Sequence, residues 1–272
     1  MSVALRARTG QLLSRRRPRR LDRRLISVIS VGTVLLAWVV CSLIGVLNPN
    51  KLPPVQDIAQ AFWSLVIHGY EGVPLWEEIL ASLARALAGF LLAVLVGVPF
   101  GLLIGESEVL AAIFTPFLGF LRPIPPIALI PLFIFYFGIG EISKVVLIFI
   151  TAFWYITLSA ASGVQAVSKD LVLAARTLGF NKRQVFRHVI LPSALPQILT
   201  GMRVAMALCW ALVVAAELIA AQVGLGYMIM DATTFFRIPV VYVGVGIIGI
   251  IGLVLERSLV WLEKRLLHWQ GR

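Results

Sequence analysis

Apolar residues in this chain come in runs too long for the interior of a small soluble domain. The first, Leu25 to Leu47, has 23 residues, more than the ~20 an α-helix needs to cross a bilayer. Five more follow, at about Ser82–Gly105, Val109–Phe137, Lys144–Val164, Pro196–Ala220 and Pro239–Trp261. Inside lipid every backbone polar group must find its partner within the protein, so each run predicts a helix rather than an open strand. The pattern predicts an all-α membrane protein of about six transmembrane helices, with no separate soluble domain. The third run is interrupted by Arg122-Pro123-Ile124-Pro125-Pro126. Three prolines in four positions cannot continue a regular helix, and a broken span is tolerated only where it is buried in protein or lines a cavity.

The polar segments between the runs set the expected orientation. Nine of the 24 Lys and Arg residues lie in the first 24 positions and stop where the first run begins. By the positive-inside rule this arm stays on the cytoplasmic side, as a topology anchor on anionic lipid. The first run is too long for the apolar core of a cleaved signal peptide, so it reads as a retained span. Asn48 to Ile79 carries Asp57, Glu71, Glu77 and Glu78 against Lys51 alone, which suits the outer side, and Asp57–Ile67 has the spacing of a short interfacial helix. Arg85, near the outer end of the second run, is expected to snorkel toward water. Gln165 to His188 is rich in Lys and Arg and belongs inside, as does the tail with Lys264, Arg265 and Arg272. The resulting organisation is a cytoplasmic arm (1–24), a first span (25–47), a periplasmic segment (48–81), a core (82–262) carrying a cytoplasmic loop at 165–192, and a cytoplasmic tail (263–272).

Composition supports lipid as the second solvent. The chain is 60% hydrophobic and 14% charged, with a mean hydropathy of +0.95, against about 45–50% apolar and about 25% charged in soluble domains. The net charge of +11 sits largely in the arm, so it points to a membrane surface and not to nucleic acid. Cys41 and Cys209 both fall inside apolar runs and read as small buried hydrophobes. His68, His188 and His268 are too scattered to suggest a metal site. No Gly-x-x-x-x-Gly-Lys-Ser/Thr loop is present, so the chain cannot hold ATP in that way, and the spans offer no nucleophile–base pair for an intramembrane enzyme.

The loop 165–192 has internal punctuation. Ser168 can cap a helix from Lys169, with Asp170 in the first turn where the helix dipole favours an acid. Gly179 can end that helix. Asn181 and Gln184 have the spacing of a capping box for a second helix, with Phe180 and Val185 as its staple, and Pro192 follows. Two short helices at an angle are expected. Left at that, the loop reads equally as a docking element or as an amphipathic linker with a solvated basic face.

These residues also carry a resemblance. Ala174-Ala175, three residues, Gly179, nine residues, then Val189-Ile190-Leu191-Pro192 is similar to the Glu-Ala-Ala…Gly…Ile-x-Leu-Pro motif of membrane subunits of binding-protein-dependent ABC importers. Leu173 stands where the motif has Glu, and Val189 where it has Ile. From about Leu52 onward the chain resembles the permeases for nitrate, taurine and alkanesulfonates. Leu121–Pro126, Pro131-Leu132, Phe137–Glu141 and Ala215–Ala221 carry that likeness, and the closing His268-Trp269-Gln270-Gly271 is most like taurine permeases. The resemblance implies the ABC importer permease (MetI-like) fold in a bacterial inner membrane, with both termini cytoplasmic. It implies a second copy of the chain, two ATPase subunits that bind the ATP, and a periplasmic solute-binding protein. It places ATPase coupling on Ala174, Ala175, Arg176, Gly179, Phe180, Lys182, Leu191 and Pro192. Taurine or another sulfonate is the expected solute, with nitrate, bicarbonate or a pyrimidine precursor as alternatives. An ion-coupled secondary transporter is a more distant alternative, since matched broken helices in inverted repeats would support it and one broken segment is seen.

Four residues are candidates for the translocation path. Arg203, Trp210 and Glu217 fall seven apart on the fifth run, near one helix face. Arg203 and Glu217 are ~21 Å apart along that axis, so each needs its own partner. An ionisable residue at membrane depth normally faces the bundle interior or a water-filled cavity. The face either borders the path or dimer seam, or both charges satisfy polar groups between helices. Arg122, beside the broken backbone, would suit an anionic solute or would bond carbonyls freed by the prolines.

Overall fold

The computed structural model describes residues 23–44 and 52–268. The Arg-rich arm up to residue 22, Lys51, and the Trp269-Gln270-Gly271 ending lie outside the described residues. The chain divides into two units, residues 1–55 and 56–272. The first contains helix α1 (Arg23–Leu43), whose 21 residues are of spanning length.

The second unit takes up the amphipathic α2 (Val55–His68) from its second residue on; the helix is close to the interfacial one the spacing predicts. Its Phe62 and Trp63 are exposed and meet edge to face. Then come α3 (Leu75–Glu106), α4 (Glu108–Leu121), a 3-10 turn (Pro126–Leu129), α5 (Ile130–Phe137) and α6 (Glu141–Gln165). The short α7 (Lys169–Thr177) and α8 (Lys182–Val185) lead through a π-helical turn (Phe186–Ile190) into α9 (Leu191–Ala220). α10 (Leu225–Thr234) and α11 (Ile238–Leu266) complete the chain. Among the described residues four helices are long and apolar enough to cross a membrane, five when the bent pair α4 and Pro126–Phe137 counts as one span. That pair turns through 88° at the proline cluster, where missing N–H groups stop the helical ladder. The first crossing expected from the sequence, residues 25–47, falls on α1, which is not among these five.

α3, α6 and α9 form the centre, with α6 between the other two. What lets α3 and α6 approach is a column of small residues every fourth position on α3: Gly89, Ala93, Gly97, Gly101 and Gly105. A Cβ on Gly101 would sit 2.5 Å from the Thr157 carbonyl oxygen and 2.6 Å from Ala160, and one on Gly89 would strike Ile148 at 2.6 Å. Lipid gives no hydrophobic drive between helices, so such close packing supplies the association energy. Ile148, Ala152, Ile156 and Ala160 of α6 are fully buried against this column and against α9. Leu91, Leu95 and Leu103 of α3 face outward and are exposed, and within α11 Val243 and Gly244 alone are buried, as suits surfaces that meet lipid or another chain.

Candidate functional site

The loop between α6 and α9 is built from local signals. Ser168 Oγ accepts from the Asp170 N–H at 3.2 Å and starts α7. The helix ends at Gly179, whose φ of +85° lies in the left-handed region that side chains disfavour. There the Gly179 N–H bonds the Arg176 carbonyl at 2.9 Å and the Phe180 N–H bonds the Ala175 carbonyl at 3.1 Å, the paired closure of a Schellman motif. Asn181 and Gln184 form a reciprocal capping box, both bonds 2.9 Å. Ala175 and Val185 are buried, Leu191 and Pro192 half-buried, and Ala174, Arg176, Gly179 and Lys182 exposed. Leu173, Leu178 and Phe180 present exposed apolar surface. Arg176 and Lys182 line a cavity of about 550 Å³ that also reaches Lys169 and Glu106 at the end of α3.

The expectation of two separate short helices needs one correction. α8, the π turn and α9 run on as one helical stretch of 39 residues, Lys182–Ala220. Pro192 sits in the first turn of α9, where its missing N–H is accommodated, and the π turn just before it absorbs the extra residue. The second loop helix is therefore the base of the central span, and a push on it is a push on α9.

Along α9 the three aligned candidates separate into two environments. Arg203 donates to Glu263 of α11 at 3.1 Å and lies 3.8 Å from Glu256. Trp210 Nε1 donates to the Ile248 carbonyl at 3.0 Å. Both line a cavity of about 500 Å³ between α9 and α11, with Thr200, Gly252 and Glu256. Glu217 is elsewhere, 1% exposed in a charge cluster with α3 and α6. Arg122 is exposed at the C-terminal end of α4 and is not brought to this cavity; among the described residues its side chain makes no hydrogen bond.

Arg85 does not snorkel. It is 7% exposed because three acceptors hold it: the buried Glu217, the Val223 carbonyl and the more exposed Glu141. Its Nε and Nη2 meet both oxygens of Glu141 at 2.5 and 2.8 Å, and its Nη1 reaches Glu217 at 2.5 Å and the Val223 carbonyl at 2.8 Å. Lys144 adds a second cation on Glu141 at 2.9 Å. Ser82 donates to Glu217 at 2.8 Å and accepts from the Leu225 N–H at 2.9 Å, while Glu217 also accepts from the Gly226 N–H at 2.9 Å. Glu78 accepts from the Gly224 N–H. Side chains of α3 and α9 thus hold backbone groups of four successive residues, 223 to 226. The sequence reading missed Glu78, Ser82, Arg85 and Glu141; the available signal was the 78-82-85 spacing, which puts three polar residues on one face of an apolar helix.

A second polar group ties the same end of the molecule. The Tyr70 hydroxyl donates to Asp231 at 2.6 Å, Arg237 pairs with Glu71, and the Arg237 guanidinium lies 5.5 Å from the Tyr70 ring centre. Burial, then the bond to Asp231, pushes the Tyr70 hydroxyl pKa upward, so it remains a donor. The turn before α3 is thereby fixed to the α10–α11 connection. No cluster of three or more His, Cys, Asp or Glu residues suited to a metal ion occurs among the described residues.

Residues 97–268 match the family described as "Binding-protein-dependent transport system inner membrane component". The chain is 38% identical over 247 residues to the taurine transport system permease protein TauC of Escherichia coli, covering 90% of each chain. It is 34% identical over 243 residues to the nitrate import permease protein NrtB of Synechocystis, covering 87% of this chain and 86% of that one. Among solved structures, the inward-facing MetNI methionine ABC transporter superposes with a TM-score of 0.61 at 18% identity, over 71% of this chain and 95% of its own; that likeness shows the fold.

Proposed function

We propose that this chain, which belongs to the family of binding-protein-dependent transport system inner membrane components, is an ATP-driven importer's membrane channel for a small sulfonate, taurine first. Membership in the taurine, sulfonate, nitrate and bicarbonate group of ABC permeases rests on its relatives. The observation that carries the coupling is the unbroken Lys182–Ala220 helix. A partner ATPase that seats on the exposed Leu173, Leu178 and Phe180 would move α9 directly, because the element it touches is the lower part of the span. Gly179 sets the angle between α7 and that lever, and Arg176 and Lys182 flank it. The sequence has no Gly-x-x-x-x-Gly-Lys-Ser/Thr loop, and in this reading ATP is held by two copies of the partner.

The rest of the machine follows from the same reading. Two copies of the chain enclose the path, and α11, largely uncovered, together with the cavity around Arg203 and Trp210, is the surface for that seam. The basic loop and both termini face the cytoplasm, which places the 223–226 cluster at the periplasmic end, where a solute-binding protein delivers its cargo. Arg122 lies apart from the α9 face and takes the weaker claim to the path. Taurine stands first because the relative with the printed name of taurine permease matches over 90% of both chains. The likeness to a nitrate permease favours nitrate as the second reading for the same machine.

Uptake of labelled taurine by cells lacking and then regaining this chain, with its ATPase and binding protein present, tests the solute. Restored uptake that excess unlabelled taurine abolishes and excess nitrate leaves intact is the expected result. An assembled complex that hydrolyses ATP without taking up taurine would remove taurine as the substrate.

A further inference from the structure

Three carboxyl groups share the cluster beneath residues 223–226, and two cations serve them. Both cations are committed elsewhere: Arg85 to Glu141 and Glu217, Lys144 to Glu141. Glu78 touches neither. It is 0% exposed, one of its oxygens accepts the Gly224 N–H, and the other, Oε1, is buried with no hydrogen-bond partner among the described residues. A carboxylate sealed from water with one bare oxygen and no cation is expensive, and a second carboxylate nearby makes ionisation harder still. Its charged neighbours from every packed element are Glu77 and Arg85 of α3, Glu217 of α9, and Glu141 and Lys144 of α6, with the Tyr227 hydroxyl of α10 as the remaining titratable group. With all three acids ionised the cluster carries one uncompensated negative charge; with one proton bound it is neutral.

We propose that Glu78 is a proton-binding residue, and that its neutral carboxyl is what allows α3 to clamp the 223–226 backbone. Protonation leaves Oε2 free to accept from Gly224 and removes the bare charge beside Glu217. Loss of that proton at alkaline pH strengthens the single bond from Gly224 but sets two carboxylates against each other directly under the loop, and that buried repulsion destabilises the clamped arrangement as a whole. Gly224 and Gly226 offer no room to adjust, since a Cβ on either would fall within 2.6 Å of Glu217 atoms.

The test compares the purified full-length chain with E78Q, which copies the size and neutrality of the protonated acid, by apparent Tm across pH. An unfolded glutamate ionises at about pH 4.3, whereas the folded chain keeps its proton to higher pH. The wild type therefore loses stability relative to E78Q as pH rises above that value, and the gap should widen by about 3 °C per pH unit until the folded-state proton is lost. An infrared difference spectrum, wild type minus E78Q at neutral pH, should also contain the C=O stretch of a protonated carboxyl. Parallel Tm curves, a missing protonated-carboxyl band, or an E78Q chain that fails to assemble would each overturn the proposal.

Discussion

Arg85 ties three parts of this structure to one another. Its guanidinium joins α3 to α6 through Glu141, to α9 through Glu217, and to the following loop through Val223. Replacing it with leucine leaves Glu217 buried without its cation, and breaking a buried pair from one side costs about 3–5 kcal/mol. Thermal unfolding of the purified chain should show that loss for Arg85→Leu, and a clearly smaller one for Arg203→Gln. Arg203 lines an open cavity and its ion pair is partly exposed, where pairs are worth about 0–1 kcal/mol. An equal loss for the two would contradict the assignment of Arg85 as the buried anchor. Glu217 was visible in the sequence as a charge out of place in an apolar run. Its partner was not, because the expectation for a lone Arg near a span end is exposure. Only the folded arrangement shows that Glu141, 56 residues away, comes within reach.

Helix contacts here are made by what is missing as much as by what is present. The small-residue column on α3 lets its backbone lie against α6. Gly101→Leu should therefore prevent the α3–α6 contact, with sharply reduced yield of folded chain in the membrane. The same change at Gly246, where a Cβ meets nothing within 4 Å, should leave yield near wild type; equal effects would contradict the close-packing account. Gly179 acts through conformation instead. Alanine there pays roughly 1–2 kcal/mol for the left-handed backbone, and the strain falls on the α7–α8 joint alone. Gly179→Ala should reduce solute-stimulated ATP hydrolysis of the assembled complex while the melting of the α3–α6–α9 core stays near wild type. The caps of α7 and α8 were legible in the sequence because capping is local chemistry. The continuity of α8 with α9 was not, since Pro192 marks a helix start as readily as a helix break, and the π turn that reconciles it has no sequence signature of its own.

At the scale of the whole molecule, two layers divide the work. One end carries the charge cluster and the Tyr70–Asp231 and Arg237–Glu71 ties, which fix turns to helices. The other carries a loop with exposed apolar side chains, joined to the centre by one long helix. The apolar runs foretold this architecture because lipid tolerates few alternatives to helices; the break after α4 was foretold by its prolines, and its angle of 88° was not. Which helices form the centre was less legible, because α3, α6, α9 and α11 have similar hydropathy and differ in small-residue spacing and in burial. Retention of the partner ATPase by the detergent-solubilised membrane chain bears most directly on the central claim that residues 165–192 couple this channel to ATP hydrolysis. The wild-type chain should carry the ATPase through purification, and a chain with Leu178→Asp and Phe180→Asp should lose it while keeping its helical content and melting temperature. Undiminished ATPase retention by that variant, or solute uptake by the wild-type chain with no ATPase present, would contradict it.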